Sequence, residues 1–264
     1  MSRPRWRWAT VPAAMLLCTS VAAAPAAPLA NPAAQPVSRM SNPMWAKRFE
    51  RKQQQLRRGN PELIFLGDSI IEELERRKPA PLGDVNAVWQ KFYAGRNAID
   101  LGFWGDTTAN LLWRIENGEL DGINPRVAVV LIGTNNLRPR LNWTPAETVG
   151  GINEVVEQIR SRLPHTRILL LAVLPNGYGR GIQNKIAEIN RMLAEEDWQG
   201  RGVTFLNVGT ALERNGALDD SLFLDPILNP PGRPLHPNVN GWYDVARAIE
   251  TTLSGMLGDR NRDQ

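Results

Sequence analysis

Cysteine and histidine are scarce in this chain. Cys18 is the only cysteine among 264 residues, and His165 and His236 are the only histidines. Cys18 lies in a leader that we predict to be removed, so the mature protein is expected to have neither a disulfide nor a reactive thiol. No apolar run of the sequence is long enough to cross a membrane. The remaining residues, about 238, are enough for one ordinary domain with its own core.

The first 26 residues have the pattern of a secretory signal peptide. Three arginines among the first seven residues form a basic start, and residues 11–24 are a short apolar run. Ala24-Pro25-Ala26 then has the small-x-small form of a cleavage site. We therefore predict export to the periplasm or out of the cell. Without the leader the formal charge falls from +4 to about +1, which does not favour nucleic acid as a partner.

The rest of the chain divides into three parts. Residues 27–43 are rich in Ala and Pro and predict a disordered lead-in, residues 44–258 a single domain, and residues 259–264 a C-terminal tail. Within the domain, apolar runs alternate with helical patterns. The runs cover residues 63–66, 98–101, 127–132, 168–173 and 203–208, and the helical patterns cover 44–58, 70–77, 107–117, 144–163, 181–197 and 239–257. This alternation predicts a three-layer α/β/α domain around a parallel sheet of about five strands.

Ligands bind at the carboxyl ends of the strands in such folds, so the residues after each run are the candidates for chemistry. Ser69 follows the first run, in Gly67-Asp68-Ser69, where a tight turn would expose its hydroxyl. Gly105 follows the second run and could bring a backbone N–H close to an acyl group, since it has no side chain. Asn135 follows the third run and could donate to an oxyanion. Taken singly, each has a plainer interpretation as a helix cap or a turn residue.

His236 follows the fifth run, in Leu235-His236-Pro237, just before the last helical pattern. A lone histidine is more often structural than catalytic. His165 lies in a predicted surface connection without a catalytic neighbour in the sequence, and we assign it no role. Four strand ends that offer Ser, Gly, Asn and His in that order nevertheless supply a nucleophile, oxyanion donors and a base, which is the set needed for acyl transfer.

These segments resemble the conserved blocks of the SGNH (GDSL-type) hydrolases: GDS around Ser69, the glycine at Gly105, GTNN with Asn135, and His236. The likeness is closest to the catalytic-subunit family of intracellular type Ib platelet-activating-factor acetylhydrolase. It rests on FLGDSI, GDTTANLLWRIENGELDGINP, VLIGTNN, GGINEVVEQIRSRLP and ILLLAVLPNG, and it covers roughly residues 60–255.

The resemblance implies a flavodoxin-like fold and a Ser-His hydrolase. Ser69 would attack an ester carbonyl, and His236 would take its proton. The N–H groups of Ser69 and Gly105 and the side chain of Asn135 would hold the oxyanion. No metal or organic cofactor would be needed, and a homodimer remains open because relatives can pair.

The acid that orients the histidine in this family normally lies three residues before it, where this chain has Arg233. An arginine cannot accept the Nδ1 proton of His236. Three alternatives follow. Asp225, with Asp219 and Asp220 behind it, could supply the carboxylate if residues 226–232 form an inserted loop. A backbone carbonyl could instead complete a Ser-His dyad, or the site could be degenerate.

Trp104 is a second departure, since relatives usually have a small residue just before the glycine. It is either a packed surface aromatic or a wall beside the acyl pocket that favours short acyl groups. The sequence thus supports two functions: an exported esterase that removes short acyl groups, above all acetyl, from a small ester or an acylated carbohydrate, and a non-catalytic module that binds glycans or another ligand in the same cleft.

Overall fold

The structure is a computed structural model that describes Met1, residues 30–77 and residues 83–264. Apart from Met1, the predicted signal peptide lies outside the described residues. The centre of the domain is a parallel sheet of five strands in the order β2-β1-β3-β4-β5. The strands are β1 (Leu63–Gly67), β2 (Ala98–Gly102), β3 (Val127–Leu131), β4 (Arg167–Leu171) and β5 (Val203–Leu206). This confirms the predicted fold class. Strands with apolar residues on both faces have to be covered on both sides, and helices cover them here.

Seven helices surround the sheet in the described residues. They are α1 (Pro43–Gly59), α2 (Ser69–Glu72), α3 (Asn86–Phe92), α4 (Thr108–Glu116), α5 (Pro145–Arg162), α6 (Arg180–Ala194) and α7 (Val239–Leu257). Helices α4, α5 and α6 pack on one face of the sheet, and α2, α3 and α7 pack on the other. A small antiparallel pair, β6 (Glu213–Arg214) and β7 (Ala217–Leu218), lies outside the main sheet. None of the helices in the described part of the chain is long and apolar enough to span a membrane.

The helical predictions differ from the structure mainly between β1 and β2. The helix predicted over 70–77 starts at Ser69 and ends at Glu72, and a 3-10 turn continues it to Glu75. Helix α3 was not predicted at all. It has seven residues, about two turns, which is too short for an apolar period of 3.6 residues to stand out from its flanks.

The predicted disordered lead-in is wrong for residues 30–43, which are packed against the domain. Ala33 is fully buried, and Asn31 Nδ2 donates a hydrogen bond of 2.9 Å to Glu147 O. The N–H of Val37 donates to the carbonyl of Ala109 at 2.9 Å. The composition predicted disorder because the segment is rich in Ala and Pro, but its polar groups form hydrogen bonds with α4 and α5.

The tail over 259–264 is also tied to the domain. Arg96, which lies just before β2, pairs with Glu250 of α7 at 2.7 Å and with Asp259 at 2.8 Å. The N–H of Arg262 donates to the carboxylate of Glu250 as well. These contacts hold α7 and the tail against the segment that precedes β2, at the edge of the sheet.

Candidate active site

Ser69 lies at the carboxyl end of β1, as the first residue of α2. Asp68 caps this helix, since its Oδ1 accepts a hydrogen bond of 2.9 Å from the N–H of Ile70. The turn lies directly against β2, because a Cβ on Gly102 would collide with the backbone nitrogen of Glu72. Ser69 is consequently held in a fixed position, with only 4% of its surface exposed.

A chain of three side chains runs through His236. Its Nε2 lies 3.0 Å from Ser69 Oγ, and its Nδ1 lies 2.8 Å from Asp225 Oδ1. Because a carboxylate only accepts hydrogen bonds, Nδ1 carries the proton and Nε2 is free to accept one from the serine hydroxyl. The structure thus brings together residues that are up to 167 positions apart in the sequence.

The contact between Asp225 and His236 depends on the backbone around them. Phe223 and Pro237 form an antiparallel bridge, and Leu224 N donates to His236 O at 2.8 Å. The other carboxylate oxygen, Asp225 Oδ2, accepts from the N–H of Leu235 at 2.9 Å and from the N–H of His236 at 2.7 Å. The carboxylate is therefore oriented by three hydrogen bonds.

Residues 226–232 form a loop whose two ends lie next to each other. The carbonyl of Asp225 accepts a hydrogen bond from the N–H of Gly232 at 2.8 Å, which closes this loop. Of the three alternatives for the acceptor of the Nδ1 proton, the one with Asp225 and an inserted loop matches this geometry. Arg233 is exposed, and its side chain forms no hydrogen bond or salt bridge with any described residue. Asp219 and Asp220 do not contact His236.

The two carboxyl groups near Ser69 have opposite pKa shifts. Partial burial would raise the pKa of Asp225, but the hydrogen bonds from His236 and Leu235 and the attraction of the imidazole hold it below its ordinary value. Burial raises the pKa of Asp68 to about 7, and the hydrogen bond from Ile70 offsets only part of this effect. Asp225 is therefore ionised at neutral pH, whereas Asp68 is divided between its two forms.

Asn135 links the serine turn to the backbone next to Gly105. Gly105 has a φ of +75°, a conformation that favours glycine. Asn135 is 2% exposed, and its Nδ2 donates to Asp106 O at 2.8 Å and to Asp68 Oδ2 at 3.2 Å. The amide nitrogen of Asn135 is therefore fixed beside the serine turn, with its shorter hydrogen bond on the backbone that follows Gly105.

A network of buried ion pairs lies next to Gly105 and Asn135. It was not predicted from the sequence. Asp106 accepts hydrogen bonds from Trp45 Nε1 at 2.7 Å and from Arg114 Nε at 2.9 Å. Arg114 is fully buried, pairs with Glu119, and donates to the carbonyl of Gly67 at 3.1 Å. The available signal was an arginine within the apolar stripe of helix 107–117, since an unpaired arginine does not occupy such a position.

Trp104 lies beside Gly105 and is 53% exposed. It lines a cavity of about 280 Å³ together with Met44, Phe103, Gly105 and Arg138. Its carbonyl accepts a hydrogen bond of 2.6 Å from Arg39. His165 is exposed and takes no part in this region. In the described ranges, no group of three or more His, Cys, Asp or Glu side chains is arranged to hold a metal ion.

Comparison with known proteins identifies the family of this chain. Residues 65–242 match the model of the GDSL-like Lipase/Acylhydrolase family. Subunit alpha2 of platelet-activating factor acetylhydrolase IB from Homo sapiens is 32% identical over 167 residues, which are 62% of this chain and 67% of the human protein. Subunit alpha1 from Bos taurus is 33% identical over 135 residues, 51% of each chain.

Solved structures share the fold at lower identity. A GDSL-like lipase from Bacteroides thetaiotaomicron superposes with a TM-score of 0.59 at 17% identity, over 81% of this chain and 97% of that one. A carbohydrate acetylesterase from Sinorhizobium meliloti superposes with a TM-score of 0.53 at 16% identity, over 74% of this chain and 99% of that one. The chain belongs to the GDSL-like lipase/acylhydrolase family, within the SGNH superfamily, and is a carboxylic ester hydrolase.

Proposed function

We propose that this protein is an exported serine esterase that hydrolyses short-chain acyl esters, above all acetyl esters. Ser69 is the nucleophile, His236 the general base and Asp225 the acid that orients it. The observation that carries the proposal is the continuous line of hydrogen bonds from Asp225 through His236 to Ser69, with distances of 2.8 Å and 3.0 Å. This line has the order and polarity that a serine hydrolase requires.

In the first half of the reaction, Ser69 Oγ attacks the ester carbonyl while His236 Nε2 takes the hydroxyl proton. The imidazolium that forms is stabilised by the ionised carboxylate of Asp225 at Nδ1. Collapse of the tetrahedral intermediate breaks the bond to the alcohol oxygen, and His236 returns the proton to that oxygen. The product of this half is an acyl-enzyme on Ser69.

The negative oxygen of the intermediate is held by the N–H groups of Ser69 and Gly105 and by the amide of Asn135. Asn135 has two N–H bonds on one nitrogen, and the shorter hydrogen bond fixes the first of them on Asp106 O. The second donates to Asp68 over 3.2 Å and turns to the oxyanion when that charge develops. Partial protonation of Asp68 weakens it as a competing acceptor, which favours this exchange.

In the second half, water replaces the alcohol. His236 takes a proton from a water molecule, the resulting hydroxide attacks the acyl carbonyl, and Ser69 leaves with the proton from the imidazole. The same oxyanion donors act on both tetrahedral intermediates. Every proton in this scheme passes through Nε2 of His236, so the orientation of the ring by Asp225 matters in both halves.

The preference for short acyl groups is supported by Trp104, whose indole lines the cavity beside Gly105 and narrows the space for a long chain. The names of two relatives, an acetylhydrolase and a carbohydrate acetylesterase, point in the same direction. The substrate class is therefore a small acetyl ester or an acetylated carbohydrate. Export rests on the signal-peptide pattern of residues 1–26.

The test is reaction with a fluorophosphonate probe together with hydrolysis of 4-nitrophenyl acetate. The Ser69→Ala variant is expected to lose both labelling and turnover, and Ser161→Ala, on the exposed side of α5, is the matched control that keeps both. A series of 4-nitrophenyl esters of increasing length tests the acyl preference, which Trp104→Ala should relax. Folded wild-type protein that is neither labelled nor active would contradict the proposal.

A further inference from the structure

A second cavity, of about 250 Å³, opens on the other side of Gly105. The residues that line it include Arg39, Gly105, Arg138, Arg140, Leu141 and Trp143. Three of these are arginines, and among the described residues that line the cavity none is acidic. The cavity therefore has a strongly positive wall directly beside one of the proposed oxyanion donors.

Arg39 and Arg138 are partly buried at this edge and Arg140 is exposed, and of the two partly buried arginines Arg138 is the less compensated. It is half-buried, and its guanidinium forms no hydrogen bond or salt bridge with any described residue. Burial lowers the pKa of Arg138, and repulsion from Arg140 lowers it further, while Asp68 attracts it only through space. A half-buried cation of this kind is stabilised when an anion binds to it.

Arg39 is held differently but faces the same cavity. Its Nη1 donates to Trp104 O at 2.6 Å and to Asp106 Oδ1 at 2.9 Å, which leaves the rest of the guanidinium available. A Cβ built on Gly105 would lie 3.2 Å from Arg39 Nη1 and 3.6 Å from Arg138 Nη1. Both guanidinium groups thus approach the backbone of Gly105 closely.

The arrangement contrasts with another arginine-rich cavity, about 620 Å³ in volume, between α1, α2 and α3. There Arg48 pairs with Asp100 at 3.2 Å, and Lys52 pairs with Glu75 at 2.5 Å. Arg76 pairs with Glu72 at 3.0 Å. These three cations are thus paired with carboxylates of the protein, whereas Arg138 beside Gly105 has no such partner among the described residues.

We propose that the cavity beside Gly105 binds a negatively charged group of the ester substrate, a carboxylate or a phosphate. Arg138 provides the main contact, Arg39 and Arg140 add to the positive potential, and the apolar faces of Leu141 and Trp143 contact the carbon skeleton. This inference rests on the proposed function, because it places the anion next to the reacting carbonyl. Arg39 lies outside the residues matched by the family model, and Arg138 lies within them.

The test compares ester pairs that differ only in charge. On the alcohol side the pair is 3-acetoxybenzoate and 3-acetoxybenzamide, and on the acyl side it is the 4-nitrophenyl esters of succinic acid and of succinamic acid. The wild type is expected to prefer the charged member of at least one pair by about tenfold in kcat/KM, as for a hydrogen bond to a charged group. The pair that shows the preference identifies which side of the ester carries the anion, and added NaCl should reduce it.

Arg138→Gln should remove that preference, measured as the ratio of kcat/KM for the charged ester to kcat/KM for the neutral ester of the same pair. Arg126→Gln, an exposed arginine beside the opposite end of the sheet, is the matched control and should keep it. Equal activity of the wild type on charged and neutral esters, or an equal loss on both in Arg138→Gln, would overturn the proposal.

Binding to the Ser69→Ala variant separates this inference from the proposed function. Calorimetry should detect 3-acetoxybenzoate more strongly than 3-acetoxybenzamide, and Arg138→Gln in the same background should remove the difference. If the wild type hydrolysed neither ester but this charge-dependent binding persisted, the anion site would stand and the esterase proposal would fail. If turnover occurred without charge-dependent binding, the opposite would hold.

Discussion

Asp225 and His236 are in contact at the base of an exposed loop. Gly105 and Asn135, by contrast, lie next to a network of fully buried charged side chains. On the first side, the two residues are joined by an antiparallel bridge and three hydrogen bonds to one carboxylate. On the second side, Asp106 and Arg114 have no exposed side-chain surface. The two sides of Ser69 are therefore fixed by different kinds of interaction.

The difference shows which parts of such a site tolerate changes in length. The carboxylate of Asp225 is set by the N–H groups of Leu235 and His236, so the residues between acid and base can bulge outward as a loop. The buried network has no such freedom, because each ion there is compensated only by its partners. An insertion is thus accommodated on the acid-base side and not beneath Gly105.

The largest effect is expected on the acid-base side. Asp225→Asn keeps the shape of the side chain but removes the charge that holds the Nδ1 proton of His236, so kcat for 4-nitrophenyl acetate should fall by about 10³–10⁴-fold. Asp220→Asn, an exposed neighbour, is the control and should leave kcat unchanged. A loss below tenfold would favour a Ser-His dyad.

On the other side of the site, removal of a buried charged side chain should lower the stability of the folded protein. Arg114→Met leaves Asp106 and Glu119 buried without their partner, and the free energy of unfolding in urea should fall by about 3–5 kcal/mol. The control is Arg191→Met, which breaks an exposed pair with Glu195 and should cost less than about 1 kcal/mol. Similar losses in both variants would show that the buried network contributes no more than a surface pair.

Asp68 lies between the two sides, and its pKa predicts how stability depends on pH. Its pKa is raised from 3.8 to about 7 in the folded protein, so its contribution to stability is complete below pH 4 and is lost as the pH rises through 7. The free energy of unfolding of the wild type relative to Asp68→Asn should therefore fall by up to about 4 kcal/mol over this range.

The measurement for Asp68 is a series of urea titrations between pH 4 and pH 8. Any constant difference between the two proteins reflects the altered contact with Asn135, and only the dependence on pH reports the titration. Asp100, whose pKa is also raised by burial, is present in both proteins and cancels. A difference that stayed constant across the range would contradict a raised pKa.

The smallest effect is expected at Arg233. Because Asp225 already accepts the Nδ1 proton, Arg233→Asp should change kcat by less than about twofold, as is usual for an exposed residue away from the reacting atoms. The measurement is the same ester assay, with Arg214→Asp as a charge-matched control at another exposed position. A sharp rise in kcat would mean that the imidazole lacks an acid in solution.

Most of the fold could be predicted from the sequence, because five apolar runs bounded by turn residues allow little except a covered parallel sheet. The predictions were weakest where partners are distant in the chain. Residues 30–43 looked disordered because their contacts lie on α4 and α5, and helix α3 was too short to show a period. The candidate residues Ser69, Gly105, Asn135 and His236 were found because each follows a predicted strand.

The carboxylate that contacts His236 could not be assigned from the sequence. The family resemblance pointed to position 233, where the side chain cannot accept a proton, and Asp225 stayed one of three alternatives. Arg39 and Arg138 gave no signal, because nothing in their neighbourhood along the chain places two guanidinium groups beside Gly105.

The sequence by itself determined the alternation of five strands with helices and the kinds of side chain at each strand end, since these follow from local patterns of polarity and turn residues. Only the tertiary structure decided that Asp225 is the carboxylate that contacts His236 and that Arg138 lies partly buried beside Gly105 without a carboxylate partner. Both depend on backbone and side-chain groups brought together from distant parts of the chain, where hydrogen-bond geometry and burial, rather than spacing, select the partner.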